Sequence, residues 1–158
     1  MYLTLRYPTP KQSKIWLRRR QKVMPSIIAE EFNVSRPFVS KAQRIAEERI
    51  GKLLEHAASV NRIKLSRMST HYGFGIGYCV THQMDTFILY SPKIGVQIWF
   101  DHDGECGSCA EEHECEQTLT QIAMEWEVSL KKNQTPTEMA AHIFGTIMRR
   151  LDWAKQKG

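Results

Sequence analysis

The chain has 158 residues, of which 42% are hydrophobic and 25% charged, a composition typical of a globular protein. Its 22 Lys and Arg against 17 Asp and Glu give a formal charge of +5. No apolar run approaches the roughly 20 residues that cross a bilayer, and no signal-peptide pattern is evident. We therefore expect a soluble, cytoplasmic protein with no membrane partner.

The charge is divided unevenly along the chain. Residues 1–70 carry 15 Lys and Arg against 5 Asp and Glu, whereas residues 71–158 carry 7 against 12. Such asymmetry indicates a basic module that binds a polyanion, joined to a module with another task. We predict two domains, a helical domain over 1–60 and an α+β domain over 61–158.

The first sixty residues predict three helices separated by short connections. Residues 9–12, Thr-Pro-Lys-Gln, have the capping-box pattern of a helix start, so a first helix is predicted over 10–21. A proline opens a short second helix over 25–32. The connection 33–35, Asn-Val-Ser, then leads into a long third helix over 36–59.

Residues 24–45 have the order expected of a helix-turn-helix. Ala29, Val34 and Val39 lie five residues before the turn, in it and five residues after it, where the two helices must pack closely. The second helix of such a motif enters the major groove of double-stranded DNA. Base or phosphate contacts are predicted for Arg36, Ser40, Lys41 and Arg44, and phosphate contacts for Arg18, Arg19 and Arg20. The alternative is a basic three-helix module without DNA binding.

The stretch Lys11–Leu54 resembles the helix-turn-helix of sigma region 4 and of LuxR-type proteins. It is most similar to the version in archaeal Tfx-like DNA-binding regulators, in which a similar helix leads into a long basic helix. The residues that carry the resemblance are Ile28-Ala29-Glu30-Glu31-Phe32-Asn33-Val34-Ser35-Arg36 and Ala42-Gln43-Arg44-Ile45-Ala46. The resemblance implies a transcription factor whose base- and backbone-contacting residues are Ser35, Arg36, Ser40, Lys41 and Arg44.

An apolar stripe continues along the third helix beyond this motif. Its members follow one another at intervals of three and four residues: Ala46, Ile50, Leu53, Ala57 and Val60. A stripe with this spacing packs on a partner chain, on the second domain or within the same subunit. Together with the two half-sites that helix-turn-helix proteins usually read, it predicts a homodimer.

Residues from about 62 onward change to a β-rich and then a helical pattern. Strands are predicted over 78–80, 86–90 and 96–100, and the alternation of Gly73, Gly75 and Gly77 indicates a close-packed or turning backbone. Two further helices follow Cys115, the second starting at Thr135. The predicted fold class is α+β: a helix-turn-helix with a long third helix, then a small sheet and two helices around a cysteine-ligated site.

All four cysteines suit one metal site. In the order Cys79, Cys106, Cys109 and Cys115, the middle pair forms a Cys-x2-Cys knuckle and the last three lie within ten residues. Four thiolates suit either Zn²⁺ or an iron–sulfur cluster. In a zinc site, His102 or His113 could replace Cys79.

The ligand spacing is similar to that of WhiB-like iron–sulfur regulators, and its last part resembles the cluster loop of FNR-type oxygen sensors. This resemblance concerns spacing only and implies a [4Fe–4S] cluster on the four cysteines. The resulting hypothesis is a DNA-binding transcriptional regulator whose cluster senses redox, oxygen or iron status. The alternatives are a DNA-binding factor with structural zinc and an iron–sulfur electron-transfer or thiol redox protein. We predict that the chain is not an enzyme, since no nucleophile–base set, P-loop or nucleotide-cofactor signature is present.

Overall fold

The structure, a computed structural model, describes residues 5–102 and 112–153. Its elements follow in the order α1 (Pro10–Arg20), α2 (Pro25–Phe32), α3 (Arg36–Val60), β1 (Ile63–Ser69), β2 (Phe74–Cys79), β3 (Met84–Ser91), β4 (Gly95–Phe100), α4 (Glu112–Glu125) and α5 (Pro136–Arg150). The predicted α+β class is confirmed. In the part of the chain that is described, no helix has both the length and the apolar character needed to cross a bilayer.

Two helices begin with the capping boxes that the sequence predicts. At α1, the Thr9 hydroxyl accepts the Gln12 N–H at 3.2 Å, and the Gln12 side chain accepts the Thr9 N–H at 2.9 Å. At α5, Thr135 and Glu138 form the same pair of bonds at 3.3 and 3.2 Å. Each box satisfies two backbone donors that have no partner inside the helix, which fixes where the helix begins.

The first three helices share a small apolar core. Its fully or nearly buried members come from all three helices: Ile15, Ile28, Ala29, Val39 and Ala42. Val34, in the connection between α2 and α3, packs against the same cluster. The predicted placement of Ala29, Val34 and Val39 against one another across the connection is confirmed. This packing fixes the direction in which α3 leaves α2.

The connection between α2 and α3 depends on the left-handed conformation of Asn33, which has φ 52° and ψ 51°. For most residues this conformation costs about 1–2 kcal/mol, whereas glycine adopts it freely and Asn tolerates it. We expect Asn33→Val to lower the free energy of unfolding by about 1–2 kcal/mol. Asn33→Gly is the matched control and should leave stability within about 0.5 kcal/mol. Urea unfolding followed by circular dichroism measures both, and equal losses would contradict the conformational explanation.

The four strands form an antiparallel sheet in the order β1-β2-β3-β4. The strand predicted over 78–80 extends back to Phe74, because the glycines allow close contact with β1. A Cβ on Gly77 would lie 2.4 Å from the Lys64 carbonyl oxygen. The close-packed backbone predicted for the alternating glycines is therefore confirmed, and β1 is a strand that the sequence pattern did not predict.

The apolar stripe of α3 packs on this sheet. Ala46, Ile50 and Leu53 are buried in one cluster with Ile63 and Ile88 of the strands, whereas Val60 at the end of the stripe is 66% exposed. The sheet of the same chain covers the stripe, which therefore does not provide the predicted dimer surface. The chain divides into two compact units, Met1–Asp101 and His102–Gly158.

The second unit contains α4 and α5, which pack on each other. Their apolar contact faces include Leu119, Ile122, Ile143, Phe144 and Ile147, all at most 2% exposed. The Arg150 guanidinium donates to the carbonyl oxygens of Trp126 and Glu127, just after α4 ends. A cation at this position stabilises the negative end of the α4 dipole and joins the two helices.

Candidate nucleic-acid interface

The first three turns of α3 present a polar, basic side to solvent. Arg36, Ser40 and Arg44 follow one another at intervals of four residues and so lie along one side of the helix. Lys41 precedes Arg44 by three residues and is therefore its neighbour on the helix surface. All four side chains are exposed. The opposite side of the same turns carries Val39 and Ala42, which are buried in the three-helix core. Burial of the apolar side therefore holds the basic side outward.

The cations on this side have no internal partner among the described residues. Arg36, Lys41 and Arg44 make no side-chain hydrogen bond or ion pair there, and the first turn of α3 contains no acidic residue. The hydroxyl of Ser35, for which the resemblance implies a base or backbone contact, accepts the Phe38 N–H at 3.2 Å and caps the helix. Three positive charges on one helical face create a positive potential that attracts anions.

Arg19 and Arg20 at the end of α1, for which phosphate contacts are predicted, have hydrogen-bond partners within the first unit. Arg19 donates to the Val23 carbonyl oxygen at 2.8 Å and to the Gln43 side chain at 3.3 Å. Arg20 is only 7% exposed, donates to the Tyr72 carbonyl oxygen at 3.0 Å and lies 4.8 Å from the centre of the Trp16 ring. Their internal partners give these two arginines a role in joining α1 to the rest of the first unit. The phosphate contacts predicted for these arginines stay a prediction.

Arg18 is engaged in an ion pair with Glu31 at the end of α2. Its Nε and Nη2 atoms lie 3.0 and 2.5 Å from the two carboxylate oxygens of Glu31. The hydrogen bonds from Arg18, reinforced by its charge, hold the pKa of Glu31 below the ordinary value of a glutamate. A lowered pKa means that this pair stabilises the folded state above the unfolded-state pKa, and that the contribution disappears as the pH falls through the folded-state value.

The lowered pKa of Glu31 allows the ion pair to be tested by measuring stability as a function of pH. We expect Glu31→Gln to lose stability relative to the unmodified protein at pH 7, and the difference to shrink as the pH is lowered toward 3, because protonated Glu31 has already lost the ion pair. Urea unfolding at a series of pH values measures it. Glu30→Gln, at the exposed neighbouring position, should show no comparable pH dependence. A constant difference at all pH values would contradict the assignment.

An apolar groove of about 270 Å³ adjoins the basic side of α3. Gln12, Phe38, Lys41, Ala42 and Ile45 line it, and Phe38 is 41% exposed. Sequence periodicity did not indicate this surface, because Phe38 precedes the buried Ala42 by four residues and so has the spacing of a core residue. In the structure, Ala42 is buried in the three-helix core, whereas Phe38 lies outside it.

Two of the four cysteines, Cys79 and Cys115, lie in the described part of the chain. Cys79 belongs to the first unit, where its side chain is fully buried in the apolar cluster and its thiol donates to the Asn61 carbonyl oxygen at 3.6 Å. Cys115 is half-buried on α4 in the second unit, and neither cysteine forms a disulfide. Cys106 and Cys109 lie outside the described residues. Among residues 5–102 and 112–153, no three His, Cys, Asp or Glu side chains form a group that could hold a metal ion.

No family model, no curated protein and no solved structure matches the chain.

Proposed function

We propose that the first three helices form a helix-turn-helix that binds double-stranded DNA sequence-specifically, with α3 in the major groove. The observation that carries this proposal is the set of three exposed cations, Arg36, Lys41 and Arg44, on the outward side of α3 without internal partners. Arg18, Arg19 and Arg20 of α1, by contrast, have internal partners or are buried.

The chemistry of these side chains fits the two kinds of contact that DNA recognition needs. Arg and Lys donate to the O6 and N7 atoms of guanine or to phosphate oxygens, and a serine such as Ser40 bonds to either. The capping of α3 by Ser35 fixes the first turn, so these side chains start from a rigid backbone. Because a helix fits the width of the major groove, the outward side of α3 can reach base edges.

The test begins with in vitro selection from random duplexes, followed by fluorescence anisotropy on the selected duplex and on a scrambled one. We expect tighter binding to the selected duplex, and a logarithm of affinity that falls linearly with the logarithm of salt concentration, since each phosphate contact releases counterions. Equal binding to both duplexes would reduce the proposal to non-specific polyanion binding. Absence of binding at low salt would contradict it.

We also propose a metal centre on the cysteines of the C-terminal half. The burial of Cys79, and the bond from its thiol to Asn61, favour a ligand set of Cys106, Cys109 and Cys115, with His102 or His113 as the fourth ligand. Such a set suits structural zinc. The alternative is a [4Fe–4S] cluster on all four cysteines.

Metal analysis of protein purified without oxygen separates these two forms. Zinc at about one per chain, retained in Cys79→Ser and lost in Cys115→Ser, is the result expected for the three-cysteine set. Iron and sulfide at about four each per chain, lost in both variants, would establish the four-cysteine cluster instead. Neither metal in any preparation would contradict the proposed centre.

A regulator also requires that the metal state alter DNA binding. We propose that loss of the metal changes the affinity of a homodimer for its site, which would make the protein responsive to redox, oxygen or iron status in its cluster form. Equilibrium binding by metal-loaded and metal-depleted protein measures the coupling, and light scattering gives the number of chains per complex. Equal affinities would leave a DNA-binding protein without this regulation.

A further inference from the structure

The apolar groove beside α3 has walls that are already held in position. Gln12 is fixed by the capping box of α1 and also accepts a hydrogen bond at 3.2 Å from Arg49. The same Arg49 nitrogen lies 3.3 Å from the Tyr7 carbonyl oxygen. On the other wall, Phe38 lies in the first turn of α3, which Ser35 caps. The groove is thus bordered by a hydrogen-bonded Gln12 side chain and by a capped helix turn.

The rim of the groove is positively charged. Lys41 lines it, and the Lys11 ammonium lies 5.9 Å from the centre of the Phe38 ring. No acidic residue is among its lining side chains, and the surface exposed inside it is apolar. A ligand that carries a small apolar group on a polyanion would complement both the apolar interior and the positive rim of the groove.

Duplex DNA displays one such group in its major groove. The base edges there carry hydrogen-bond donors and acceptors, and the single apolar feature is the 5-methyl group of thymine, which phenylalanine contacts favourably. The groove lies on α3 next to Lys41. The proposed function places Lys41 against the DNA. The first turn of a recognition helix, where Phe38 lies, is the part that contacts base edges.

We infer that Phe38, which is 41% exposed in the groove beside Lys41, receives a thymine methyl group and makes the protein select thymine at one position of its site. This inference rests on the proposed function and adds to it a residue that determines specificity through apolar contact. The apolar contact depends on the methyl group itself. That methyl group can be removed from the DNA without altering any base-pairing hydrogen bond.

The test replaces thymines of the selected duplex one at a time by deoxyuridine, which lacks only the 5-methyl group. At one thymine we expect deoxyuridine to weaken binding by about fourfold, the effect of taking one buried methyl group out of an apolar contact. Phe38→Ala should bind the two duplexes equally, and Phe38→Leu should retain part of the difference. Met24→Ala, which shortens another exposed apolar side chain, is the control and should keep the full difference.

The possible outcomes separate the inference from the proposed function. If the unmodified protein prefers no thymine, or if Phe38→Ala keeps the difference between thymine and deoxyuridine, the inference is overturned while DNA binding stands. If Phe38→Ala instead changes only the number of chains per particle in light scattering, the groove is a contact between copies and the inference is equally overturned. If the protein binds no duplex, both the inference and the proposed function are contradicted. Circular dichroism of each variant confirms that it is folded.

Discussion

Replacing Arg36, Lys41 and Arg44 together by alanine is expected to weaken binding to the selected duplex by about 100-fold or more. Each arginine or lysine that contacts a base or phosphate contributes roughly 1–3 kcal/mol, and all three lie on the same outward side of α3. Since none of the three has an internal partner in the described part of the chain, the melting temperature should change little. Anisotropy at fixed salt measures the affinity.

The single variants and a charge-matched control sharpen this result. Arg36→Ala and Lys41→Ala should reduce specific binding more than non-specific binding, because a base contact distinguishes sequences and a phosphate contact does not. A triple alanine variant of Lys52, Lys64 and Lys93 removes the same charge from other surfaces and should retain most of the affinity. Equal losses from the two triple variants would indicate that net charge, and not the outward side of α3, governs binding.

Leu53→Glu is expected to destabilise the first unit by about 3–5 kcal/mol rather than to separate a dimer. Leu53 is 5% exposed within the cluster formed by α3 and the sheet, so a carboxylate placed there has no partner or water. An unpaired buried charge costs about 3–5 kcal/mol, a large share of the roughly 5–15 kcal/mol by which a domain is stable. Urea unfolding by circular dichroism should show this loss directly.

Val60→Glu is the matched control for this substitution. Val60 lies on the same helix and on the same predicted stripe, yet it is 66% exposed. Its replacement should change the free energy of unfolding by no more than about 0.5 kcal/mol. If Leu53→Glu remained folded and only dissociated a dimer, the stripe would be an interface between chains after all, and the packing of α3 on the sheet would be contradicted.

The elements that the sequence predicts best are those specified by local chemistry. Both capping boxes are confirmed, because a threonine, a proline and a Gln or Glu three residues after the threonine satisfy the backbone donors of a helix start without tertiary help. The turn between α2 and α3 is predicted for the same reason, since Asn33 is among the few residues that tolerate its left-handed conformation.

Tertiary packing accounts for what the sequence did not predict. Strand β1 was missed because a shift in its pairing with β2, between Leu65 and Arg67, interrupts the alternation of apolar and polar residues. The stripe of α3 has the spacing of a dimer seam as well as that of a buried face, and only the position of the sheet distinguishes the two. Likewise, composition cannot show that Arg20 is buried against Trp16 while Arg36 is exposed.

The central claim, that α3 binds DNA with the outward side of its first three turns, is tested most directly by nuclear magnetic resonance of ¹⁵N-labelled protein titrated with the selected duplex. We predict that the largest changes in amide shifts cluster at residues 35–45, with those of the sheet and of α5 small. Changes confined to α4, α5 or the sheet, with the amides of residues 35–45 unaffected by saturating duplex, would contradict the claim.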